Sequence, residues 1–342
     1  MAKKSVSLKS LGEVGLIERL RSRLRPGGPS LIVGPGDDCS AIRLSEKLLT
    51  LATCDIMVEG EHFLPHVISP YQLGRKSLAL NVSDIAAMGG VPRFALVSLA
   101  LPAETPLSFV DELYRGLEEE GERWGMSLMG GNCSRSRLKV VDIFLLGEVE
   151  EEFLLLRSGA RPGDSILVTG SLGDSRGGLE LIKRSEVELA PELARALLAS
   201  HLTPTPRLPE ARAVARSRKV SAMMDISDGL ASDLERICQE SGVGAEVEAE
   251  SLPISPSLRA LASALGTESF QLALEGGEEY ELLLTAPVEA EEELKKVVRE
   301  ATGQKLSPVG RITEKSSGIR FLKDGREFPL KAKGWDHFAG KG

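Results

Sequence analysis

The chain has 342 residues, 42% of them hydrophobic and 27% charged, and carries a net charge of −8. That length holds two domains with a core each, and the composition is that of a soluble globular protein. The acidity argues against nucleic-acid or membrane partners, and no apolar run approaches the roughly 20 residues of a transmembrane helix.

The four cysteines, Cys39, Cys54, Cys133 and Cys238, form no C-x-x-C pair, so neither a zinc site nor a dense disulfide framework is expected. The basic start, Met1 to Ser5, leads into no apolar segment of the signal-peptide kind. Both features point to a reducing, cytoplasmic setting.

In chain order, residues 11–25 have helical spacing of apolar and charged positions. Leu31–Val33 and Leu48–Thr53 read as short buried strands. Residues 70–88 read as a helix, with Asn81 and Asp84 on one face. A strand over Phe94–Leu101, a helix over 106–124 with Glu118-Glu119-Glu120 toward solvent, and a strand over Val140–Val149 complete the first half. The acidic stretch Glu148–Glu152 is the expected junction, giving domains 1–149 and 150–342. The second half opens on a turn-rich segment, Arg157 to Asp164. A strand at Ile166–Thr169 follows, then helices near 176–185, 190–200 and 206–217. Ala222–Met224 is a strand that delivers Asp225, and 229–240 a helix with Asp228 as its expected N-cap. Strands at Ala245–Val247, Glu281–Thr285, Pro308–Ile312 and Ile319–Leu322, with a helix at 287–301, finish the chain. Mixed strands and helices in both halves indicate two α/β or α+β domains.

Acidic clusters recur beside small residues: Gly36-Asp37-Asp38, Thr53-Cys54-Asp55, Asn81-Val82-Ser83-Asp84 and Asp225-Ile226-Ser227-Asp228-Gly229. One such pair is an ordinary turn. Several, each delivered by a strand end or an apolar helix, form a pattern of oxygen ligands for hard divalent cations such as Mg²⁺, with room for phosphates. Asp84 lies in an otherwise apolar helix, where a carboxylate is costly unless paired or metal-bound. Gly130-Gly131-Asn132 reads as a further cluster with an amide in place of the carboxylate. The Gly276-Gly277 pair permits close backbone approach to a ligand. The Gly334-Trp335-Asp336-His337-Phe338 tail either caps the core or stacks on a planar ligand. No P-loop, kinase-signature or H-E-x-x-H motif is present. The Thr169–Gly177 segment lacks the dinucleotide-binding spacing and reads as a turn beside a phosphate or as helix–strand packing.

Taken in order, these stretches resemble the thiamine-monophosphate kinase family. They include Gly36-Asp37-Asp38-Cys39, Thr53 to Phe63, Leu80 to Gly89, His201-Leu202-Thr203-Pro204, Asp225 to Leu230, Gly276 to Leu282 and the Gly334–Phe338 tail. The resemblance implies the two-domain fold of aminoimidazole-ribotide synthetase, with the N-terminal domains pairing into a homodimer. It implies direct transfer of the γ-phosphoryl of ATP onto thiamine monophosphate, giving thiamine diphosphate, with several Mg²⁺ ions. The N-terminal domain would bind ATP and metal, and the C-terminal domain would complete the site. By position, Asp38, Thr53, Asp55, Asp84, Asn132, Asp225 and Asp228 match metal ligands, with Asp84 and Asp228 central to catalysis. Gly131, Asn132, Arg157 and Ser227 match ATP contacts, and His62, Glu278 and Trp335 match substrate contacts.

The chain departs from the family pattern at Asn132, Cys133 and Ser134, where the family has Asp-Thr-Thr, and at Glu279, where it has Asp. Two alternatives stand beside this reading: another ATP-using enzyme of the same superfamily, or a nucleotide-binding paralogue without kinase activity.

Overall fold

The computed structural model describes residues 8–24, 28–184 and 186–330. The first half builds β1 (Leu31–Val33), β2 (Ser40–Arg43), β3 (Leu48–Val58), β4 (Val91–Leu101), β5 (Ser127–Arg135) and β6 (Val140–Glu150). They form one sheet in the order β1-β2-β3-β6-β4-β5, antiparallel except for the parallel β4–β5 pair. Helices α1 (Leu8–Arg21), α2 (Pro70–Ala87) and α3 (Leu107–Arg123) accompany it. Helix α1 is not the single rod expected from its spacing, since Gly12 (φ 71°) breaks it.

The sheet alternates as half-buried strands do. Leu49, Leu51, Val97, Ile143 and Leu145 point inward against Leu78, Val82 and Ile85 of α2. Helix α2 starts at a Ser69 capping box, with Pro70 at its first position, and then runs buried almost throughout. Helix α3 lies against it at very close range. A Cβ on Gly74 would strike the Leu113 carbonyl, and one on Gly116 the Tyr71 carbonyl. Glu120 does not face solvent as expected: it is buried, accepting from Arg75 Nε at 2.9 Å and Trp124 Nε1 at 2.7 Å.

The second half contains β7 (Ser165–Thr169), β8 (Ala222–Asp225), β9 (Gly244–Glu248), β10 (Leu282–Ala286), β11 (Leu306–Thr313), β12 (Ile319–Lys323) and β13 (Arg326–Glu327). Their order is β13-β12-β9-β11-β7-β10-β8, antiparallel except for β9–β12. Seven helices pack on it: α4 (Asp174–Lys183), α5 (Pro191–Leu202), α6 (Leu208–Ser217), α7 (Leu230–Ser241), α8 (Pro256–Leu265), α9 (Ser269–Glu275) and α10 (Glu291–Thr302). Two largely antiparallel sheets with helices make α+β the closer description. One apolar cluster runs from Leu51 and Val82 through Val214 and Leu284 to Leu294, so the two halves share a continuous core. Helix α2 lies at that seam and touches β8 and α6.

Candidate active site

The strand-end and helix carboxylates converge where α2 meets β8. One oxygen from each of Asp38, Asp84 and Asp225 lies within 4.8 Å of the others. Asp38 follows a short turn after β1, Asp84 is in the last turn of α2, and Asp225 ends β8. Each has a holder. Thr53 Oγ1 donates to Asp84 Oδ2 at 2.6 Å, Ser83 Oγ to Asp225 Oδ2 at 2.7 Å, and an Arg157 Nη to Asp38 Oδ1 at 2.6 Å. Asp37 accepts the Arg157 backbone N–H at 3.2 Å.

The cluster carries more negative charge than these donors neutralise. Burial, with Asp55, Asp225 and Asp38 close by, pushes the Asp84 carboxyl well above its ordinary range. Burial and Asp38 push Asp225 up to about 7, against the pull of Ser83 and Arg157. Asp55 rises to about 6 through burial and the charges of Asp142 and Asp228. Asp37 also rises to about 6, through burial and Asp38. Asp38 Oδ2 is buried and has no hydrogen-bond partner. An orphaned carboxylate oxygen among crowded acids, all with oxygen donors, fits a hard divalent cation.

The Asp225–Gly229 loop is held from behind. The expected N-cap role of Asp228 is not what forms. Helix α7 begins after Gly229 without a side-chain cap, and Asp233, inside the helix, turns back instead. Its Oδ2 accepts the N–H groups of Ser227, Asp228 and Gly229 at 3.0, 3.1 and 3.1 Å. Arg236 bridges Asp233 Oδ1, at 2.9 Å, and Asp228. Asp228 thus belongs to an ion-paired loop near Asp55.

The Glu278 segment is laced onto the same loop. Glu278 N donates to Ser227 O at 2.7 Å, Tyr280 N to Ile226 O at 2.9 Å, and Ile226 N to Glu281 O at 2.8 Å. A Cβ on Gly277 would lie 2.7 Å from Ser227 O. That glycine therefore serves an approach of two backbones within the protein, rather than a ligand as its motif suggests. Glu278 receives Lys76 Nζ at 3.0 Å and His201 Nδ1 at 3.3 Å. His62, which accepts the Val58 N–H at 3.1 Å through Nδ1, lies near enough to act on Glu278 electrostatically.

Two expected residues fall elsewhere. Gly131 and Asn132 sit in edge strand β5, opposite Val97 and Ser98. Asn132 is exposed, and its register puts it on the face shared with Ser98 and Asp142. Thr53 and Asp55 point to the other face, so Asn132 does not join the Asp38–Asp84–Asp225 cluster. Trp335 lies outside the described residues. Conversely, Asp37, Lys76, Ser83, His201, Asp233 and Arg236 were missing from the expected set. Lys76 carried a usable signal, a charge inside an apolar helix, the same signal that singles out Asp84.

A separate cleft of about 840 Å³ opens behind the Glu278 segment and is lined by Trp124, Arg207, Glu279 and Glu281 among others. Two of its acids already have partners. Glu281 is matched by Arg207 and Thr169, and Glu279 by the Ser175 and Arg176 amides at the start of α4. Burial and the neighbouring Asp174 still push Glu279 well above its ordinary range, so the cleft is acidic too. The aspartate cluster differs in its orphaned oxygen, Asp38 Oδ2, and in three carboxylates lying within 4.8 Å of one another.

Residues 36–149 match the family model "AIR synthase related protein, N-terminal domain", and 161–323 match its C-terminal counterpart. The thiamine-monophosphate kinase of Aquifex aeolicus is 38% identical over 97% of this chain and 99% of its own length. That of Bacillus subtilis is 36% identical over 90% and 94%. The chain belongs to the thiamine-monophosphate kinase family. Among solved structures of that family, AaThiL complexed with AMPPCP and TMP aligns with a TM-score of 0.83 and 36% identity, covering 98% of this chain and all of the other. A hydrogenase maturation protein complexed with ATP, 20% identical with a TM-score of 0.68, shares the fold.

Proposed function

We propose that the chain transfers the γ-phosphoryl group of ATP directly to the phosphate of thiamine monophosphate, producing thiamine diphosphate and ADP. The observation that carries this is the buried cluster of Asp38, Asp84 and Asp225, with Asp55 beside it, in a chain whose solved relative holds AMPPCP together with TMP. The acceptor oxygen belongs to a phosphate already ionised near neutral pH, so no side chain has to remove a proton. One P–O bond to the leaving ADP breaks as one forms to the acceptor oxygen. Such a transfer depends on positioning and on relief of charge.

The residues divide accordingly. Asp38, Asp55, Asp84 and Asp225, with Thr53 and Asp228, would hold Mg²⁺, which when bound would supply positive charge to offset the negative charge of the phosphates. Asp84 is fixed by Thr53 and Asp225 by Ser83, so both face the cluster in one orientation. Arg157, held by Asp38, and Ser227 at the loop bend are assigned to the nucleotide phosphates. His62 and Glu278, with Trp335, are assigned to the thiamine moiety. Residues 1–149 supply most metal ligands and 150–342 complete the site.

The open face of the first sheet exposes Ile56, Phe94, Met129 and Phe144. We assign it to pairing of two copies, since apolar area of this kind ordinarily marks an interface. Sedimentation of the purified protein tests that assignment, with a dimer expected and a monomer at micromolar concentration opposing it. No helix among the described residues is long and apolar enough to cross a membrane, and all four cysteines are free.

The kinase reading is tested by incubating the purified protein with ATP, Mg²⁺ and thiamine monophosphate and separating the products. Thiamine diphosphate and ADP in equal amounts are expected. ADP without thiamine diphosphate at saturating metal would overturn the reading.

A further inference from the structure

Among the described residues, Lys76 is the largest side chain with almost no exposure, and it carries a charge. It lies two turns before Ser83 on α2, so both face the second half. Ser83 holds Asp225, and Lys76 holds Glu278. Eight residues separate Lys76 from Asp84, so their Cα atoms lie about 12 Å apart along the helix, and the ammonium is engaged by Glu278 rather than by the aspartate cluster.

Two side chains meet at Glu278. Lys76 contacts Oε1, and His201 Nδ1 contacts Oε2 while also lying 3.1 Å from Ser175 Oγ. The Glu278 backbone takes φ +60° and Tyr280 φ +53°, conformations disfavoured for side-chain-bearing residues. Backbone bonds to Ile226 and Ser227 hold the segment in that shape. A carboxylate placed at such cost and fixed through both oxygens is built for one orientation. Burial drives the Glu278 carboxyl upward, and the Lys76 ammonium overcomes that, so its value falls below the ordinary one. His201, itself lowered to about 4 by burial and Lys76, is neutral near pH 7 and meets Glu278 as a neutral ring.

We propose that Lys76, with His201, is the positioning residue of the thiamine subsite, holding Glu278 as a fixed, ionised acceptor that reads the amino group of the substrate's pyrimidine. This rests on the kinase reading and deepens it. An ionised carboxylate accepts hydrogen bonds and never donates. Of the polar groups on thiamine monophosphate beyond its phosphate, the exocyclic amine of the aminopyrimidine is the N–H donor. A site built around such a donor rejects an analogue that replaces it with an acceptor, because the half-buried carboxylate is left facing a second oxygen.

The test compares thiamine monophosphate with its analogue carrying oxygen in place of that amine, in wild type, Lys76→Met and the double variant Lys76→Met/Glu278→Gln. The wild type should use the amino substrate and discriminate strongly against the oxo analogue. In Lys76→Met, KM for thiamine monophosphate should rise about tenfold or more while KM for ATP stays within about twofold, a loss of binding confined to one substrate. The preference for amine over oxo should fall in the same variant. The double variant leaves no lone buried charge and is expected to melt near the wild type with the same loss of discrimination. Unchanged KM for thiamine monophosphate and unchanged preference in both variants would overturn the proposal. So would a parallel rise in both KM values. A wild type that makes no thiamine diphosphate would instead overturn the kinase reading itself.

Discussion

The aspartate cluster and the exposed edge of the first sheet are built from similar sequence: Gly-Asp-Asp in one, Gly-Gly-Asn in the other. Their surroundings differ. Asp38, Asp84 and Asp225 each receive a named donor and face one another across a few ångströms. Asn132 stands exposed on edge strand β5, opposite Ser98. The contrast teaches that a polar residue beside glycine becomes a site only when a rigid element behind it fixes its direction. Here those elements are α2, β8 and the Asp233-held loop.

The largest effect expected on breaking this contrast is at Asp84. Asp84→Asn should lower kcat more than about 100-fold, since removing even the supporting partner of a metal ligand commonly costs 10–100-fold. The fold should survive, because the lost charge was an unfavourable one, and steady-state rates with a far-ultraviolet dichroism spectrum would check both. Next comes Asp233→Ala, which leaves three amides without their acceptor and Arg236 with Asp228 alone. It should destabilise the chain by more than about 2 kcal/mol, the scale for orphaned buried donors, and weaken Mg²⁺ dependence. Urea unfolding and a metal titration would read the two.

A third, smaller effect concerns pH. Asp225 and Asp55 ionise in the folded chain near 7 and 6, above their unfolded range. A raised folded value contributes stability that is complete below about pH 4 and disappears as pH rises through 6 to 7. Without divalent metal, the melting temperature should therefore fall between pH 5 and pH 8, and Mg²⁺ should restore it most at the higher pH. A metal-free protein that melts higher at pH 8 than at pH 5 would speak against the crowded acids. The smallest effect belongs to the exposed side. Asn132→Asp should move the Mg²⁺ concentration for half-maximal rate by less than about threefold, since a charge on the opposite face of the sheet reaches the aspartate cluster only through a weak, long-range field. Tightening by an order of magnitude would put that position among the ligands.

Much of this was legible in the sequence. The acids at strand ends and in an apolar helix identified Asp38, Asp55, Asp84 and Asp225, because burial of charge contradicts its surroundings in a way periodicity reveals. Helices α2, α3, α5 and α6 followed from the same periodicity. The strand over Ser127–Arg135 was missed because Gly130-Gly131-Asn132 mimics a loop, and its exposed register has no alternation to read. Helices α8 and α9 also escaped, although Ser255 caps α8. Asp233, Arg236 and His201 were not legible as site residues. Their roles come from tertiary contacts, a carboxylate turning back on its own helix start and a histidine reaching across from α5, and no local spacing encodes such partners. Gly277 misled in the other direction, since a glycine that admits a ligand and one that admits another backbone look alike in sequence.

The central claim is that these aspartates hold metal and none accepts the phosphoryl group. The stereochemical course at phosphorus tests it most directly, using ATP made chiral at the γ-phosphoryl with oxygen isotopes and sulfur and analysing the thiamine diphosphate formed. A single in-line transfer predicts inversion. Retention would require two transfers through a phosphorylated side chain, with an aspartate of the cluster as the obvious carrier, and would contradict the account.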